Sequence, residues 1–204
     1  MAIRQGKILV LGNGPQISEI EFKKLDPTIK TFGVNRIWLK HYPDYFFFQD
    51  VPIIRELDQS PLHKAKLIGS SICFSSDWLR SSSKLTPNWV KIHNRSDRRV
   101  FPDSVTTGLK ILSEKYVNDI YNYTFYIAGV NLKWSEPSHF WKTLPHDSSN
   151  RYGPGWYVNR FNKMLENFKK LQKLGFNMVS VTPDSLLNKI MRYENIDNLY
   201  LKQE

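Results

Sequence analysis

With 204 residues and a single cysteine, the chain is long enough to bury the core of one domain, and it excludes an internal disulfide. No signal peptide and no run of about 20 apolar residues is visible, so we expect a cytoplasmic protein without a membrane segment. The formal net charge of +10 indicates a polyanionic partner, such as nucleic acid, a phosphorylated small molecule or an acidic membrane surface.

The first half of the sequence alternates short apolar runs with turns and helical segments. Strands are predicted at 7–11, 31–34, 45–49, 66–74 and 89–93, and short helices at 18–25 and 52–57. Strand, turn, helix and strand in this order are typical of a parallel sheet with crossover helices.

The second half predicts two long helices, separated by a strand and an irregular segment. The helices are expected at 105–117 and 157–174, strands at 123–130 and 177–181, and a last helix at 185–192. Residues from about 131 to 156 contain aromatics and prolines without periodicity, which is typical of a functional loop or lid. We therefore predict a single α/β domain over 1–204, with a mostly parallel Rossmann-like sheet flanked by helices and a lid insertion.

Small polar residues follow most of the predicted strands. They lie at 12–15, 35–36, 49–50, 75–76, 129–131 and 182–185. In an open α/β sheet, ligands bind beyond the carboxyl ends of the strands. Glycines at positions 12 and 14 let the backbone approach a ligand, and Asn13 offers both a donor and an acceptor to a sugar or base.

Thr106, Thr107 and Gly108 fall in the first turns of the predicted helix at 105–117. Free backbone amides, the helix dipole and two hydroxyls at this place suit a phosphate. The alternative is that the threonines cap the helix and that the glycine is needed for packing. The sequence alone leaves both interpretations open.

Several familiar catalytic patterns are missing from the sequence. It contains no phosphate-binding loop with its lysine, no Gly-x-Ser-x-Gly elbow, no His-Glu-x-x-His helix and no Asp-x-Asp pair. We therefore expect no metal and no cofactor, and a transferase built on this sequence would be metal-independent.

The order of these segments resembles that of the small bacterial sialyltransferases that decorate lipooligosaccharides. The segments that carry the resemblance lie at 11–15, 34–36, 49–50, 106–108, 126–131 and 183–187. The resemblance implies a single Rossmann-like sheet with a lid, and metal-independent transfer of a sugar from a nucleotide donor, such as a CMP-sugar.

The resemblance also implies roles for individual residues. It implies a nucleotide site formed by Gly12, Asn13, Gly14 and Asn35, with Thr106, Thr107 and Gly108 along the ribose and phosphate, and Asp184 and Ser185 near the base. Asp50 would face the donor sugar. The family usually has asparagine there, and a carboxylate repels an anionic sialic acid, so a neutral sugar or another nucleotide fits Asp50 better.

The family uses a histidine in the lid as general base and lid tyrosines to stabilise the departing phosphate. Spacing brings no histidine of this chain to the family's position, and we predict His146, beside Asp147, as the base. A surface histidine without a catalytic role is the alternative. Tyr152 and Arg151 are predicted to stabilise the leaving group.

The densest basic cluster contains Arg95, Arg98 and Arg99, which are predicted to bind a polyanion. The predicted function is therefore transfer of a sugar from a nucleotide-sugar donor to an anionic acceptor, either a glycan or a nucleic acid. Two alternatives remain: a catalytically silent module that binds nucleic acid or another polyanion, and an enzyme that glycosylates nucleic acid.

Overall fold

A computed structural model of the protein describes residues 6–77, 79, 87–94, 103–132 and 154–202, without the side chains of 154–157. Eight strands of these segments form one sheet: β1 (Gly6–Leu11), β2 (Lys30–Val34), β3 (Tyr45–Phe47), β4 (Ile72–Ser76), β5 (Lys91–His93), β6 (Tyr123–Ala128), β7 (Asn177–Ser180) and β8 (Arg192–Tyr193). Their order is β5-β4-β3-β2-β1-β6-β7-β8, and every neighbouring pair is parallel. The predicted α/β class is confirmed.

Four α-helices belong to the described part of the chain: α1 (Val51–Asp58), α2 (Pro61–Ser70), α3 (Ser104–Lys115) and α4 (Pro154–Lys173). Short 3-10 turns connect the strands at Pro15–Glu19, Phe22–Lys24, Asn35–Leu39, Ile120–Asn122, Leu186–Lys189 and Ile196–Leu199. Among the helices of these segments, none combines the length and the apolarity needed to span a bilayer.

Helices cover both faces of the sheet. Successive side chains of a strand point to opposite faces, so Ile8 and Phe32 pack in the cluster that includes α3 and α4, and Leu9 and Phe46 pack in the cluster that includes α1 and α2. All four side chains are fully buried. Because both faces are buried, the strands are continuous apolar runs, and polar residues concentrate at their ends.

The predicted strand at 66–74 is wrong in its first half. Pro61 begins α2, which continues to Ser70, and the strand covers only Ile72–Ser76. Leu67 is the buried side chain of α2, whereas Ile68 is half exposed. The helix therefore lacks the apolar stripe by which a sequence pattern is recognised.

The predicted helix at 18–25 is replaced by two 3-10 turns, Pro15–Glu19 and Phe22–Lys24. Short 3-10 turns are common connectors, and their side chains do not follow the 3.6-residue period. The connection from β1 to β2 therefore has no α-helix.

The predicted helix at 185–192 is also shorter than expected. A 3-10 turn covers Leu186–Lys189, and its cap is Ser185, whose Oγ accepts a hydrogen bond from the Leu187 N–H at 3.1 Å. Arg192 belongs to β8 and pairs with Val179 of β7. Because Arg192 pairs with β7, the helix cannot continue to this residue. This pairing is a tertiary contact, which no local sequence pattern indicates.

The long helix predicted at 157–174 begins earlier, at Pro154, so residues 154–156 of the expected lid are its first turn. Proline is well tolerated there because the first amides of a helix have no partner within the helix. Gly175 follows the helix with a φ of +95°, the left-handed conformation in which a glycine commonly ends a helix.

Candidate functional site

The direction of the sheet order reverses between β1 and β6. From β1 the chain moves outward to β5 on one side, and it then returns to place β6 on the other side of β1. In open α/β sheets, the crevice beyond the carboxyl ends of the two strands at such a reversal is the usual ligand site. We call this edge of the sheet the carboxyl edge.

The glycine turn after β1 lies against the end of β6. The Gly12 N–H donates to the Ala128 carbonyl at 2.8 Å, and the Gly14 N–H donates to the Gly129 carbonyl at 2.7 Å. A Cβ on Gly12 would lie 2.4 Å from the Gly129 oxygen. The two glycines thus allow the loops to touch, and Asn13 is the polar side chain that this turn leaves for other contacts.

Left-handed backbone conformations concentrate at the carboxyl edge. Asn35, Leu132 and Asp184 have φ values of 52°, 54° and 55°, and they follow β2, β6 and β7 respectively. Asparagine and aspartate tolerate this conformation, whereas a leucine in it is strained. Such strain, of order 1–3 kcal/mol per residue, is typical of ligand sites.

Two amide side chains converge on the first residue of α3. Asn35 Nδ2 lies 3.3 Å from Ser104 Oγ, and Gln49 Nε2 lies 3.4 Å from the same oxygen. These residues follow β2 and β3 and begin α3, so the fold brings three separate elements together. The result is a polar cluster at the carboxyl edge.

Buried polar atoms without a partner also gather at this edge. In the described part of the chain, these atoms are Asn13 Oδ1, Gln16 Oε1, Asn35 Oδ1, Trp38 Nε1, Gln49 Oε1, Ser76 Oγ, Ser180 Oγ and Asn188 Oδ1. Each lies in the last residue of a strand or in the segment that follows that strand. An unpaired buried polar atom costs about 1–3 kcal/mol, so a polar ligand would relieve a cost that this edge carries.

Asp50 follows Gln49 directly in the chain and is exposed. Although part of its surface is open to solvent, the surrounding protein raises the pKa of its carboxyl, and the charges of Arg160 and Arg36 offset this in part. Arg36 itself makes two bonds to Glu56 of α1, Nε to Oε2 at 2.8 Å and Nη2 to Oε1 at 2.5 Å. The two positive charges near Asp50, those of Arg36 and Arg160, are thus largely balanced by the negative charges of Glu56 and of Asp50 itself.

The start of α3 is tied together by Asp103. Its carboxylate accepts the Thr106 N–H at 2.8 Å and the Thr106 hydroxyl at 2.5 Å, while its carbonyl accepts the Thr107 N–H at 3.1 Å. Asn167 of α4 donates to the same carboxylate at 3.2 Å. Thr106 and Thr107 are 0% and 2% exposed. The residue that caps the helix is Asp103 rather than either threonine, and the phosphate-binding role of the threonines stays a prediction.

Gly108 packs against the face of the sheet, where an added Cβ would be 2.6 Å from the Phe32 ring and 2.8 Å from the Phe47 ring. Close packing of α3 on β2 and β3 is therefore a sufficient reason for glycine at this position. A second role beside a phosphate stays a prediction.

The two residues predicted near the base have different settings. Ser185 is buried, and its hydroxyl donates to the Val130 carbonyl at 2.6 Å, which joins the loop after β7 to the loop after β6. Asp184 is exposed. Their contact with a base stays a prediction.

Six other predicted site residues lie outside the described residues: His146, Arg151, Tyr152, Arg95, Arg98 and Arg99. The segments that contain them, 95–102 and 133–153, join β5 to α3 and β6 to α4. Both connections leave a strand at the carboxyl edge. Within the residues that the structure describes, no three His, Cys, Asp or Glu side chains gather as metal ligands would.

Sequence reasoning missed two residues of this edge, Ser104 and Arg160. Ser104 precedes the helix predicted at 105–117, and its position between two amides depends on the residues that follow β2 and β3. Arg160 is one of many basic residues in α4, and no local signal distinguishes it. Only the packing of α4 brings its charge near Asp50.

Comparison with known proteins identifies the fold. No protein-family model and no curated protein matches the sequence. Among solved structures, the sialyltransferase CstII from Campylobacter jejuni, in complex with cytidine-5'-monophosphate, has a TM-score of 0.57 at 13% identity, covering 98% of this chain and 89% of that one. The monofunctional alpha-2,3-sialyltransferase Cst-I of the same organism has a TM-score of 0.57 at 14% identity, covering 100% and 85%.

A third structure, CST-II with a trisaccharide acceptor and CMP, has a TM-score of 0.52 at 14% identity and covers 97% of this chain and 89% of that one. At identities this low, the structural overlap shows similarity of fold alone. From end to end, the chain has the same α/β fold as these sialyltransferases.

Proposed function

We propose that the protein is a metal-independent glycosyltransferase of the sialyltransferase-like type, which transfers a sugar from a nucleotide donor to an anionic acceptor. One observation carries the proposal. Buried amide oxygens without partners gather at the carboxyl edge, in a fold shared from end to end with enzymes solved in complex with CMP. Amides of this kind offer both donors and acceptors, as a base and a ribose require.

In this proposal, Asn13 and Asn35 bind the nucleotide beyond the carboxyl ends of β1 and β2. An acceptor hydroxyl attacks the anomeric carbon, the bond from that carbon to the phosphate oxygen breaks, and His146 takes the hydroxyl proton. Tyr152 and Arg151 stabilise the negative charge that the departing phosphate gains.

The acceptor is proposed to be anionic because of the net charge of +10. The cluster at the carboxyl edge is polar and largely charge-balanced, so this positive charge is available to the acceptor rather than to the donor. The arginines of the segment 95–102, which starts at this edge, are proposed to attract such an acceptor. Attraction between exposed charges weakens with salt, so we expect acceptor binding to depend strongly on ionic strength, and donor binding to depend on it less.

Thermal unfolding with CMP, UDP and GDP tests the nucleotide site. A ligand at about 100 times its Kd stabilises a protein by about 2.7 kcal/mol, which raises the Tm of a chain of this size by roughly 5–10 °C. We expect one of the three nucleotides to give such a shift. If none does, the proposal is wrong.

A pair of matched variants locates the binding site. Asn35→Ala removes an amide of the carboxyl edge and is expected to abolish most of the nucleotide-induced shift. Asn177→Ala removes an amide at the opposite edge, where Nδ2 donates to Thr124 Oγ1 at 2.9 Å, and is expected to leave the shift unchanged. Equal effects of the two variants would contradict the placement of the site.

Product mass distinguishes the enzyme from the other functions. Incubation of the bound nucleotide sugar with an anionic glycan or with single-stranded nucleic acid is expected to add one sugar mass to the glycan. Addition to nucleic acid would indicate the enzyme that modifies nucleic acid. Binding of nucleic acid that falls steeply with salt, without transfer, would indicate the silent module.

A further inference from the structure

The polar cluster beyond β2 and β3 is rich in hydrogen-bond acceptors. Ser104 has one hydroxyl hydrogen, so it can donate to only one of the two amide side chains that meet it, Asn35 and Gln49. At least one of the two must therefore face Ser104 with its NH2 group, and the oxygen of that amide receives no hydrogen bond from Ser104. Both amide oxygens are buried without a donor among the described residues, and Gln49 is only 7% exposed.

Asp50 extends this cluster toward solvent. It follows Gln49 directly and precedes α1, and unlike the amides it is exposed, so a ligand can contact it without displacing the core. An ionised carboxylate accepts hydrogen bonds and donates none. Asp50 and the amide oxygens together require a partner that carries O–H or N–H groups.

The charges around Asp50 leave little attraction for a second anion. Arg36 is bound through two bonds to Glu56, and the charge of Arg160 acts on Asp50 itself. A carboxylated sugar placed here would meet acceptors, and its charge would be repelled by Asp50. A sugar with hydroxyl groups only would instead supply the hydrogens that the acceptors lack.

We propose that the donor sugar is uncharged and polyhydroxylated, that Asp50, Gln49 and Asn35 accept hydrogen bonds from its hydroxyl groups, and that Asp50 excludes carboxylated sugars. This inference rests on the proposed function, because it names the class of sugar that the proposed nucleotide donor carries. Asp50 is then the residue that determines donor specificity.

Isothermal titration at pH 8 tests this inference, and each sugar nucleotide is compared with its own free nucleotide. UDP-glucose and UDP-glucuronic acid form a matched pair that differs in one carboxylate, and CMP-sialic acid is compared with CMP. We expect the uncharged sugar to tighten binding relative to the free nucleotide, and a carboxylated sugar to weaken it by roughly tenfold.

Asp50→Asn removes the charge and keeps the size and one acceptor oxygen. In this variant we expect carboxylated sugars to bind roughly tenfold more tightly than in the wild type. Asp58→Asn is the matched control, because Asp58 lies at the far end of α1 in an exposed pair with Lys64. It is expected to leave every affinity unchanged.

The outcomes separate the two proposals. If a free nucleotide binds but the wild type prefers a carboxylated sugar, or if Asp50→Asn changes no preference, the inference about the sugar is wrong and the nucleotide site stands. If no free nucleotide binds, the proposed function is wrong and this inference fails with it.

Discussion

The two edges of the sheet differ in how far their buried polar side chains are hydrogen-bonded. At the amino edge, where the strands begin, the Asp44 carboxylate accepts the Thr31 N–H at 2.8 Å, the Thr31 hydroxyl at 2.9 Å and Lys30 Nζ at 2.9 Å. At the carboxyl edge, eight buried polar atoms of described residues have no partner. The Asp44 cluster of the amino edge completes its own hydrogen bonds, whereas the carboxyl edge keeps buried polar atoms unpaired.

A concavity of about 350 Å³ opens at the amino edge, lined in part by Lys30, Asp44, Tyr45 and Ile72. Its size alone would suit a small ligand. Its charged groups, however, are already paired with each other, because Lys30 and Asp44 form an ion pair at 2.9 Å. We therefore interpret this concavity as structural surface, and the difference in hydrogen bonding is what separates the two edges.

The largest effect is expected at the amino edge. Asp44→Ala leaves the Thr31 amide and hydroxyl without their acceptor and is expected to lower the free energy of unfolding by about 2–4 kcal/mol, measured by urea denaturation. Nucleotide affinity should stay at its wild-type value. Asp58→Ala, which removes an exposed ion pair, is the control and should cost less than about 1 kcal/mol. A loss of nucleotide affinity in Asp44→Ala would contradict the division between the edges.

Gly108→Ala tests whether the start of α3 serves packing or phosphate binding. Because the added Cβ meets the Phe32 and Phe47 rings, we expect a loss of about 1–3 kcal/mol in the free energy of unfolding. Gly69→Ala in α2 is the matched control: its Cβ has no atom within 4 Å, and it should stabilise the protein by about 0.5–1 kcal/mol. Unchanged stability with weaker nucleotide binding would favour the phosphate role of Gly108.

Gln49→Met tests the carboxyl edge itself. It keeps the length of the side chain and removes an unpaired buried oxygen together with one long hydrogen bond to Ser104. We expect the free energy of unfolding to change by less than about 1 kcal/mol, while affinity for the uncharged sugar nucleotide falls about tenfold, equivalent to about 1.4 kcal/mol. The reverse result, a large loss of stability with normal binding, would make Gln49 a structural residue.

The smallest expected effect is an opposite pH dependence at the two edges. Partial burial would raise the pKa of Asp44, but hydrogen bonds from Thr31 and Lys30 outweigh it and leave this pKa below its usual value. Asp44 therefore stabilises the fold above the unfolded pKa of about 3.9, and this contribution is lost as the pH falls through the folded pKa. The stability deficit of Asp44→Asn at pH 7 should shrink below about pH 4.

For Asp50 the sign is reversed, because the surrounding protein partly desolvates its carboxyl and raises its pKa. The folded state binds this proton before the unfolded state does, so ionised Asp50 destabilises the fold at neutral pH, and the cost disappears as the pH falls through the folded pKa. Asp50→Asn should be more stable than the wild type at pH 7, by less than about 1 kcal/mol because the side chain is exposed. Urea denaturation between about pH 3 and pH 8 measures both differences, and a destabilised Asp50→Asn at pH 7 would contradict this sign.

The fold class and several elements could be predicted from the sequence because their signals are local. The buried strands β1 and β6 are apolar runs that end in glycine, Asp103 caps α3, and Gly175 ends α4 with a positive φ. Polar residues after the strands could be collected in the same way, since the carboxyl ends of parallel strands meet at one edge.

The tertiary structure decided which of these residues meet, because their partners are distant in the sequence. Asn35 meets Ser104 across 69 positions, and the charge of Arg160 reaches Asp50 only through the packing of α4. The order of the strands, and thus the reversal between β1 and β6, also depends on pairing that no local pattern encodes. The sequence by itself determined the α/β fold and the polar residues after its strands, while only tertiary packing decided which of those residues have hydrogen-bond partners.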